Sequence, residues 1–411
     1  MRDYNTLDDF DFEAKTVLLR VDFNLPLDKE TFEVLDTTRI QLALPTIKEL
    51  VEKKSRVVVL AHQGRKGSWD FIHLNPHAKA LGELLGQSVR FVEDIYGNEA
   101  KQAIAEMNDG EVVMLDNVRM FDQETAKISV EQHAQSELVE NLAPLVDIYV
   151  NDAFAAAHRS QCSLVGFMPV LPSCAGRLME KELTTLEAIV KNPAHPSVFL
   201  FGGAKFSDVV VTVDRVLGSG LADRVLLTGL PANAFLKARG VSLGEVNEKP
   251  LLEGSSAEEF EKIRAVLSKY GDGICLPVDF AFEKDGTRNE VSLEDLPCKY
   301  PLLDISQKTV DLFSTYIGEA KTVFLSGPCG VFEDPLFRVG TKGVFESIAQ
   351  SDAFSLVGGG HTVAAVEQLG LKEKMSHIST GGGSLEKFMM GEDLVVVQQL
   401  KKACKKNLVH A

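Results

Sequence analysis

The chain reads as an α/β protein built from two doubly wound parallel sheets. Three observations carry this. Short apolar runs alternate with helix-period segments in both halves of the chain. A strongly amphipathic segment, 178–190, separates the halves and ends at Asn192-Pro193. Glycine is unevenly divided, with 7 of 32 in residues 1–175 and 25 in residues 176–411. A chain of 411 residues also exceeds one compact core. The boundaries read as 1–173 for the first domain, 174–191 for a connecting helix, 192–392 for the second domain and 393–411 for a terminal segment.

In the first half, 17–21, 56–61, 89–92, 112–115 and 147–150 read as strands, and 40–51, 78–85, 100–107 and 130–142 as helices. Parallel sheets bind ligands beyond the C-terminal ends of their strands, and polar residues cluster at these points. Asp22 and Asn24 follow the first strand, His62 and Arg65 the second, and Asn117 and Arg119 the fourth. Asn151, Asp152, His158 and Arg159 follow the fifth. One arginine after a strand is an ordinary surface charge; a set is what recognises a molecule bearing carboxylate and phosphate, because each guanidinium donates two bonds to oxygens.

In the second half, 198–201, 225–227, 274–276, 323–325, 354–357 and 377–379 read as strands. The segment 280–303 shows no period and is expected to be an exposed excursion. Residues 200–208 (LFGGAKFSD) pass from a buried strand through two glycines and Lys205 to a helix start at Ser207 or Asp208. Such a turn presents backbone N–H groups and a helix N-terminus to an anion, phosphate above all. The same syntax returns at 324–333 (FLSGPCGVFE), 356–362 (LVGGGHT) and 377–384 (HISTGGGS). Glu333 fits either a surface position or an acceptor for ribose hydroxyls. No glycine is followed directly by lysine, so a Walker A loop is excluded, and no G-x-G-x-x-G speaks for a dinucleotide dehydrogenase.

The formal net charge of −16 argues against nucleic-acid and anionic-membrane binding. The six cysteines form no C-x-x-C pair and read as reduced thiols. The N-terminal stretch is acidic without an apolar core, and no run is long enough to span a bilayer, so the expectation is a cytoplasmic enzyme. The tail, 394–411, is helix-capable and carries Lys401, Lys402, Lys405 and Lys406.

Taken together these motifs resemble the phosphoglycerate kinase family over nearly the whole chain. Residues 20–26 (RVDFNLP) resemble its R-V-D-F-N-x-P, 62–65 (HQGR) its H-x-G-R, and 116–119 (DNVR) its E-N-V-R. Residues 150–154 (VNDAF) with His158-Arg159 resemble V-N-D-A-F…A-H-R. The glycine loops resemble G-G-A-K, N-G-P-x-G-V-F-E, G-G-G-D-[ST] and S-T-G-G-G. The resemblance implies two Rossmann-like domains joined by a helix and hinge, with a cleft between them and the C-terminal segment returning to the first domain. It implies that 3-phosphoglycerate or 1,3-bisphosphoglycerate binds through Asp22, Asn24, Arg39, His62, Gln63, Gly64, Arg65, Arg119 and Arg159. It implies Mg²⁺ with ADP or ATP at Gly203, Lys205, Gly229, Pro328, Glu333, Gly358, Gly359, Gly360, His361 and Thr362. Arg39, Lys205 and the backbone at Gly360 and Gly383 are then the catalytic groups. The expected state is a monomer, with a homodimer as the alternative. Four departures stand out: Val209 replaces a lysine, His361 the metal-associated aspartate and Ser326 an asparagine, and the last loop is one residue short. No side chain is assigned to the metal. His361, with H-Q-G-R, points to the archaeal branch.

Overall fold

A computed structural model describes residues 2–191, 193–204, 206–253 and 256–410. It divides into two units, residues 1–184 with 392–411, and residues 185–391.

The first unit holds a six-stranded parallel sheet in the order β3-β4-β2-β1-β5-β6. Its strands are β1 (Thr16–Arg20), β2 (Arg56–Leu60), β3 (Val89–Val92), β4 (Val112–Leu115), β5 (Ile148–Asn151) and β6 (Ser173–Ala175). β1 and β4 are buried at every position, as strands covered on both faces require. After β1 the chain builds one side of the sheet; with β5 it crosses to the other. The order therefore reverses between β1 and β5, which is where open α/β sheets leave a crevice. Helices α1 (Thr38–Glu52) and α2 (Asn75–Leu85) pack their apolar stripes (Ile40, Ala43, Ile47 and Leu50; Ala78 and Leu81) into the same core as β1 and β2.

The second unit repeats the plan in the order β15-β14-β13-β7-β8-β9. Its strands are β7 (Ser197–Phe201), β8 (Arg224–Leu227), β9 (Ile274–Cys275), β13 (Thr322–Ser326), β14 (Phe354–Gly358) and β15 (His377–Ile378), all parallel. Here the order reverses between β7 and β13. Among the helices, α3 (Arg177–Lys191) crosses the division between units, and α4 (Ser207–Gly218), α5 (Gly229–Ala238), α6 (Gly360–Gln368) and α7 (Gly383–Met389) follow second-sheet strands. The terminal helix α8 (Val395–His410) belongs to the first unit, where the Val396 N–H donates to Ala157 O (3.1 Å) and Lys401 pairs with Asp3 (2.9 Å).

Three expectations are corrected. The segment 280–303 is not an excursion: β10 (Asp279–Lys284) and β11 (Thr287–Ser292) form an antiparallel hairpin, and β12 (Asp304–Ile305) pairs with β10. Asp285 and Gly286 both take positive φ (53° and 74°), the requirement of a two-residue hairpin turn. The segment 130–142 is two helices, Val130–His133 and Glu137–Leu142, because Ser136 caps the second one. Residues 173–175 are the edge strand β6, so the connecting helix starts at Arg177 rather than at 174.

The start of α3 is bound firmly into the first unit. Asp152, the residue after β5, is buried; its Oδ1 accepts from Met179 N (2.9 Å) and its Oδ2 from the Thr46 hydroxyl (2.6 Å). Thr46 Oγ1 in turn accepts from Arg177 N (2.8 Å). Asp152 therefore caps a helix, and burial raises its pKa to about 6. Thr46→Val removes both hydroxyl bonds and leaves a carboxylate oxygen unpaired in the core. The expected loss is about 2–3 kcal/mol, seen as a lower denaturant midpoint of the full chain with the slope unchanged.

Candidate active site

At the β1/β5 switch point, cations outnumber the carboxylates between them. Arg20 ends β1 and is fully buried. Two residues on, Asp22 pairs through Oδ2 with Arg39 Nη1 (2.7 Å), which the first turn of α1 supplies. His62, buried just after β2, has its Nδ1 3.9 Å from Asp22 Oδ1 and accepts from Arg20 Nη2 at 3.2 Å. Arg119, after β4, donates Nη1–H to Gly64 O, and Arg159 donates Nε–H to His158 Nε2 (3.3 Å).

The electrostatics follow from this crowding. Burial, with the neighbouring Arg159, Arg20 and Arg65 acting in the same direction, lowers the Arg119 pKa to about 10. Burial opposes ionisation of Asp22, yet Arg39 and Arg20, together with His62 at the low pH where it is protonated, hold its carboxyl down to about 2. Burial drives His62 well below its ordinary value, and Arg20, Arg119 and Arg159 reinforce that, so the imidazole is neutral at physiological pH. Mutually repelling cations of this kind, held by a rigid frame, form a site for an anion with several negative oxygens.

In the second unit a cavity of about 580 Å³ opens beside the β7/β13 switch point. Gly203, Gly229, Pro328, Glu333, Gly359, Gly360, His361 and Thr362 line it, with Phe280, Leu302, Phe324, Met389 and Met390 supplying an apolar wall. The loops after β7 and β13 are locked backbone to backbone: Gly202 N–H donates to Ser326 O (2.8 Å) and Gly203 N–H to Pro328 O (2.9 Å). A Cβ at Gly202 would lie 2.3 Å from Pro328 O, so only glycine permits this approach. Thr362 Oγ1 accepts from Gly327 N (2.7 Å) and ties the β13 loop to α6. The described lining residues include Asp208, Asp304, Glu333 and Glu386 but no lysine or arginine.

A phosphoglycerate kinase family model matches residues 7–392. The chain belongs to the phosphoglycerate kinase family. The phosphoglycerate kinase of Methanothermus fervidus is 43% identical over 98% of both chains. Phosphoglycerate kinase 2 of Methanosarcina acetivorans is 45% identical over 98% of this chain and 96% of its own. The crystal structure of phosphoglycerate kinase from Pyrococcus horikoshii OT3 superposes with a TM-score of 0.89 at 38% identity, over 98% of this chain and 99% of that one. The structure of phosphoglycerate kinase from Coxiella burnetii gives 0.84 at 29% identity, over 97% of this chain and 99% of that one. The archaeal relatives agree with the branch suggested by His361 and H-Q-G-R.

Within this phosphoglycerate kinase fold, Asp22, Arg39, His62, Arg119 and Arg159 share one electrostatic environment, and Arg65 acts on Arg119 from an exposed loop. Gln63 and Asn24 also tie the surrounding frame together. Gln63 is fully buried: its Oε1 accepts from Leu25 N (2.8 Å) and bonds His77 Nε2 (3.0 Å), and its Nε2 donates to Leu25 O (3.1 Å). Asn24 Oδ1 takes the N–H of Gly64 (2.9 Å), which has φ 64°. Asn151, among the polar residues read from the sequence, bonds Tyr149 and Leu164 (2.9 and 3.2 Å). The expectation of bare N–H groups after β7 is overturned, since those of Gly202 and Gly203 are spent on the β13 loop. Gly358 is buried at the end of β14, and neither it nor Gly383 lines the cavity, though Gly383 opens α7. Lys205 lies outside the described residues. Sequence reasoning passed over Arg20, Glu124 and Ser163, which interact beneath the cluster.

The frame carries a pH dependence. His77, fully buried, has its pKa lowered from 6.5 to about 4 by burial. Its folded value lies below its unfolded one, so the unfolded chain binds the proton more tightly. Stability is therefore complete above about pH 6.5 and lost as pH falls toward 4, by up to about 3 kcal/mol. Asp22, lowered from 3.8 to about 2, adds a further loss below about pH 4. Urea unfolding of wild type and His77→Gln between neutral pH and pH 4.5 checks this: the variant should lose distinctly less stability on acidification.

Proposed function

We propose that the first unit binds 3-phosphoglycerate or 1,3-bisphosphoglycerate at the β1/β5 cluster. The second unit binds ADP or ATP in its cavity, and the acyl phosphate passes reversibly and directly between them, giving 3-phosphoglycerate and ATP in the glycolytic direction. The observation that carries the reading is the cation cluster at the switch point of the first sheet in a chain of net charge −16. A bisphosphorylated acid is the chemistry such a cluster selects.

Phosphoryl transfer asks for positioning and charge neutralisation rather than a side-chain nucleophile. Arg65, Arg119 and Arg159 bind the phosphate and carboxylate oxygens. Arg39, oriented by Asp22, is the cation for the transferring group. Neutral His62 donates to a substrate oxygen. On the nucleotide side, the first-turn N–H groups of α6 at Gly360 and His361 lack intrahelical acceptors and serve phosphate; Lys205 and the Gly383 end of α7 complete the charge balance. Glu333 receives the ribose, and the Phe280, Leu302 and Met389 wall the base.

The cavity fits a magnesium-nucleotide complex. Its described lining is rich in carboxylates and poor in cations, and no described cluster of three or more His, Cys, Asp or Glu forms a protein cage for a metal. Mg²⁺ prefers oxygen ligands, phosphates and water, so Asp208 and Glu386 would face its hydration shell while His361 faces phosphate. Bound there, it supplies charge neutralisation to the phosphates. Closure about a hinge would exclude water from the acyl phosphate. The setting is a cytoplasmic monomer without nucleic-acid or membrane partners.

A coupled assay with 3-phosphoglycerate and Mg-ATP should give robust turnover. Arg39→Ala should lower kcat by roughly 10²–10⁴ with little change in the nucleotide KM; near-normal kcat removes its role. Alanine at Arg65, Arg119 or Arg159 should weaken 3-phosphoglycerate binding by about 1.5–3 kcal/mol each and leave ADP binding by calorimetry unchanged. A matched loss of ADP affinity would mean the two units' roles are mixed.

A further inference from the structure

Beneath the substrate cluster lies a buried relay that the proposed reaction does not use directly. Arg20, Ser163 and Glu124 have no exposed surface, and His62 has 3%. Arg20 Nε–H donates to Ser163 Oγ (2.8 Å), its Nη1–H to Val21 O, and its Nη2–H to His62 Nδ1 (3.2 Å). Ser163 passes the polarity on: its hydroxyl donates to Glu124 Oε1 (2.7 Å) and its N–H to Glu124 Oε2 (2.7 Å). With Glu124 ionised as the counter-ion of Arg20, every bond in the series has one permitted direction. A guanidinium offers donors only, so Ser163 Oγ must accept from Arg20 and spend its own hydrogen on Glu124. For the same reason His62 Nδ1 must be an acceptor, which leaves the ring proton on Nε2.

We propose that Glu124 and Ser163 are positioning residues: through Arg20 they hold His62 as the neutral Nε2–H tautomer, the form that donates a hydrogen bond to an oxygen of the phosphoglycerate. The inference rests on the reading of His62 as a substrate contact. Charge explains why the relay needs its acidic end. A buried guanidinium needs a counter-ion, and Glu124 supplies it through Ser163. Protonating His62 at Nδ1 would direct an N–H at the Arg20 guanidinium, among the further cations Arg119 and Arg159; Asp22, 3.9 Å away, is the acid facing it. The second-strand loop alone would leave either tautomer available; the relay selects one. The selected proton lies on the nitrogen that Arg20 does not occupy. A substrate whose reactive end is all acceptor oxygens needs a donor there.

The test is ¹⁵N NMR of the full chain with labelled histidine, His62 being assigned by comparison with His62→Gln. At neutral pH the expected pattern is a neutral ring with the proton on Nε2. A proton on Nδ1, or an imidazolium, overturns the proposal without need of any variant. Ser163→Ala should produce a tautomer mixture and raise the KM for 3-phosphoglycerate about tenfold, the size of one lost charge-assisted hydrogen bond, with the nucleotide KM unchanged. Ser163→Thr, which keeps the hydroxyl, should restore both readouts. An unaltered tautomer in Ser163→Ala also overturns the relay. If the tautomer behaves as expected but His62→Gln leaves the 3-phosphoglycerate KM untouched, the relay stands and the substrate contact at His62 falls.

Discussion

Arg20 sits with no exposed surface at the end of the central strand β1, and the first unit must satisfy a cation there. Glu124 answers the charge from beneath; burial raises its pKa above the usual carboxylate value, and Arg20, Ser163 and Arg119 oppose that rise without cancelling it. Above Arg20, Asp22 is the acid between Arg39 and His62. One compensated cation therefore fixes the geometry of the layer that meets substrate, while Arg65 remains exposed and Arg119 and Arg159 half-buried. The net excess of positive charge is left for the ligand to neutralise. Under the proposed reading, an acidic chain would hold an anion locally, with the rest of its surface charge elsewhere.

The second unit solves a different problem. Its switch point is occupied by backbone, because the loops after β7 and β13 hydrogen-bond to each other through Gly202, Gly203, Ser326 and Pro328. Side chains would prevent that approach. The clasp shapes one wall of the cavity and consumes the N–H groups that a glycine pair would otherwise offer. Helix starts keep their first-turn N–H groups, above all that of α6, where Gly359 takes φ 90° to turn the chain from β14 into the helix. The uneven glycine distribution thus marks a contrast in construction, side chains in one unit and backbone in the other.

Much of this was legible because it is local. Parallel strands announce themselves as apolar runs, and ligand groups fall just past their ends, so Asp22, His62, Arg119 and Arg159 could be singled out from position alone. What escaped was set by tertiary context. Glu124 stands in a polar stretch, DQETAK, that reads as surface, and nothing nearby shows that Ser163 and Arg20 will enclose it. The framework bonds of Gln63 and Asn24 escaped as well, because their partners, Leu25, His77 and Gly64, are fixed only when the loops after β1 and β2 meet. β10 and β11 were obscured by Arg288, Asn289 and Glu290, polar residues tolerated on the partly exposed hairpin strand. β6 is three residues long and too short to carry a period.

The most direct test is a crystal structure of the chain with 3-phosphoglycerate bound. The account predicts the phosphate and carboxylate oxygens within hydrogen-bonding distance, about 2.7–2.9 Å, of guanidinium groups from Arg65, Arg119 and Arg159, with the His62 ring against the ligand and Arg20 still turned toward Ser163. A ligand bound instead in the second unit's cavity, with the arginine cluster empty, would contradict it.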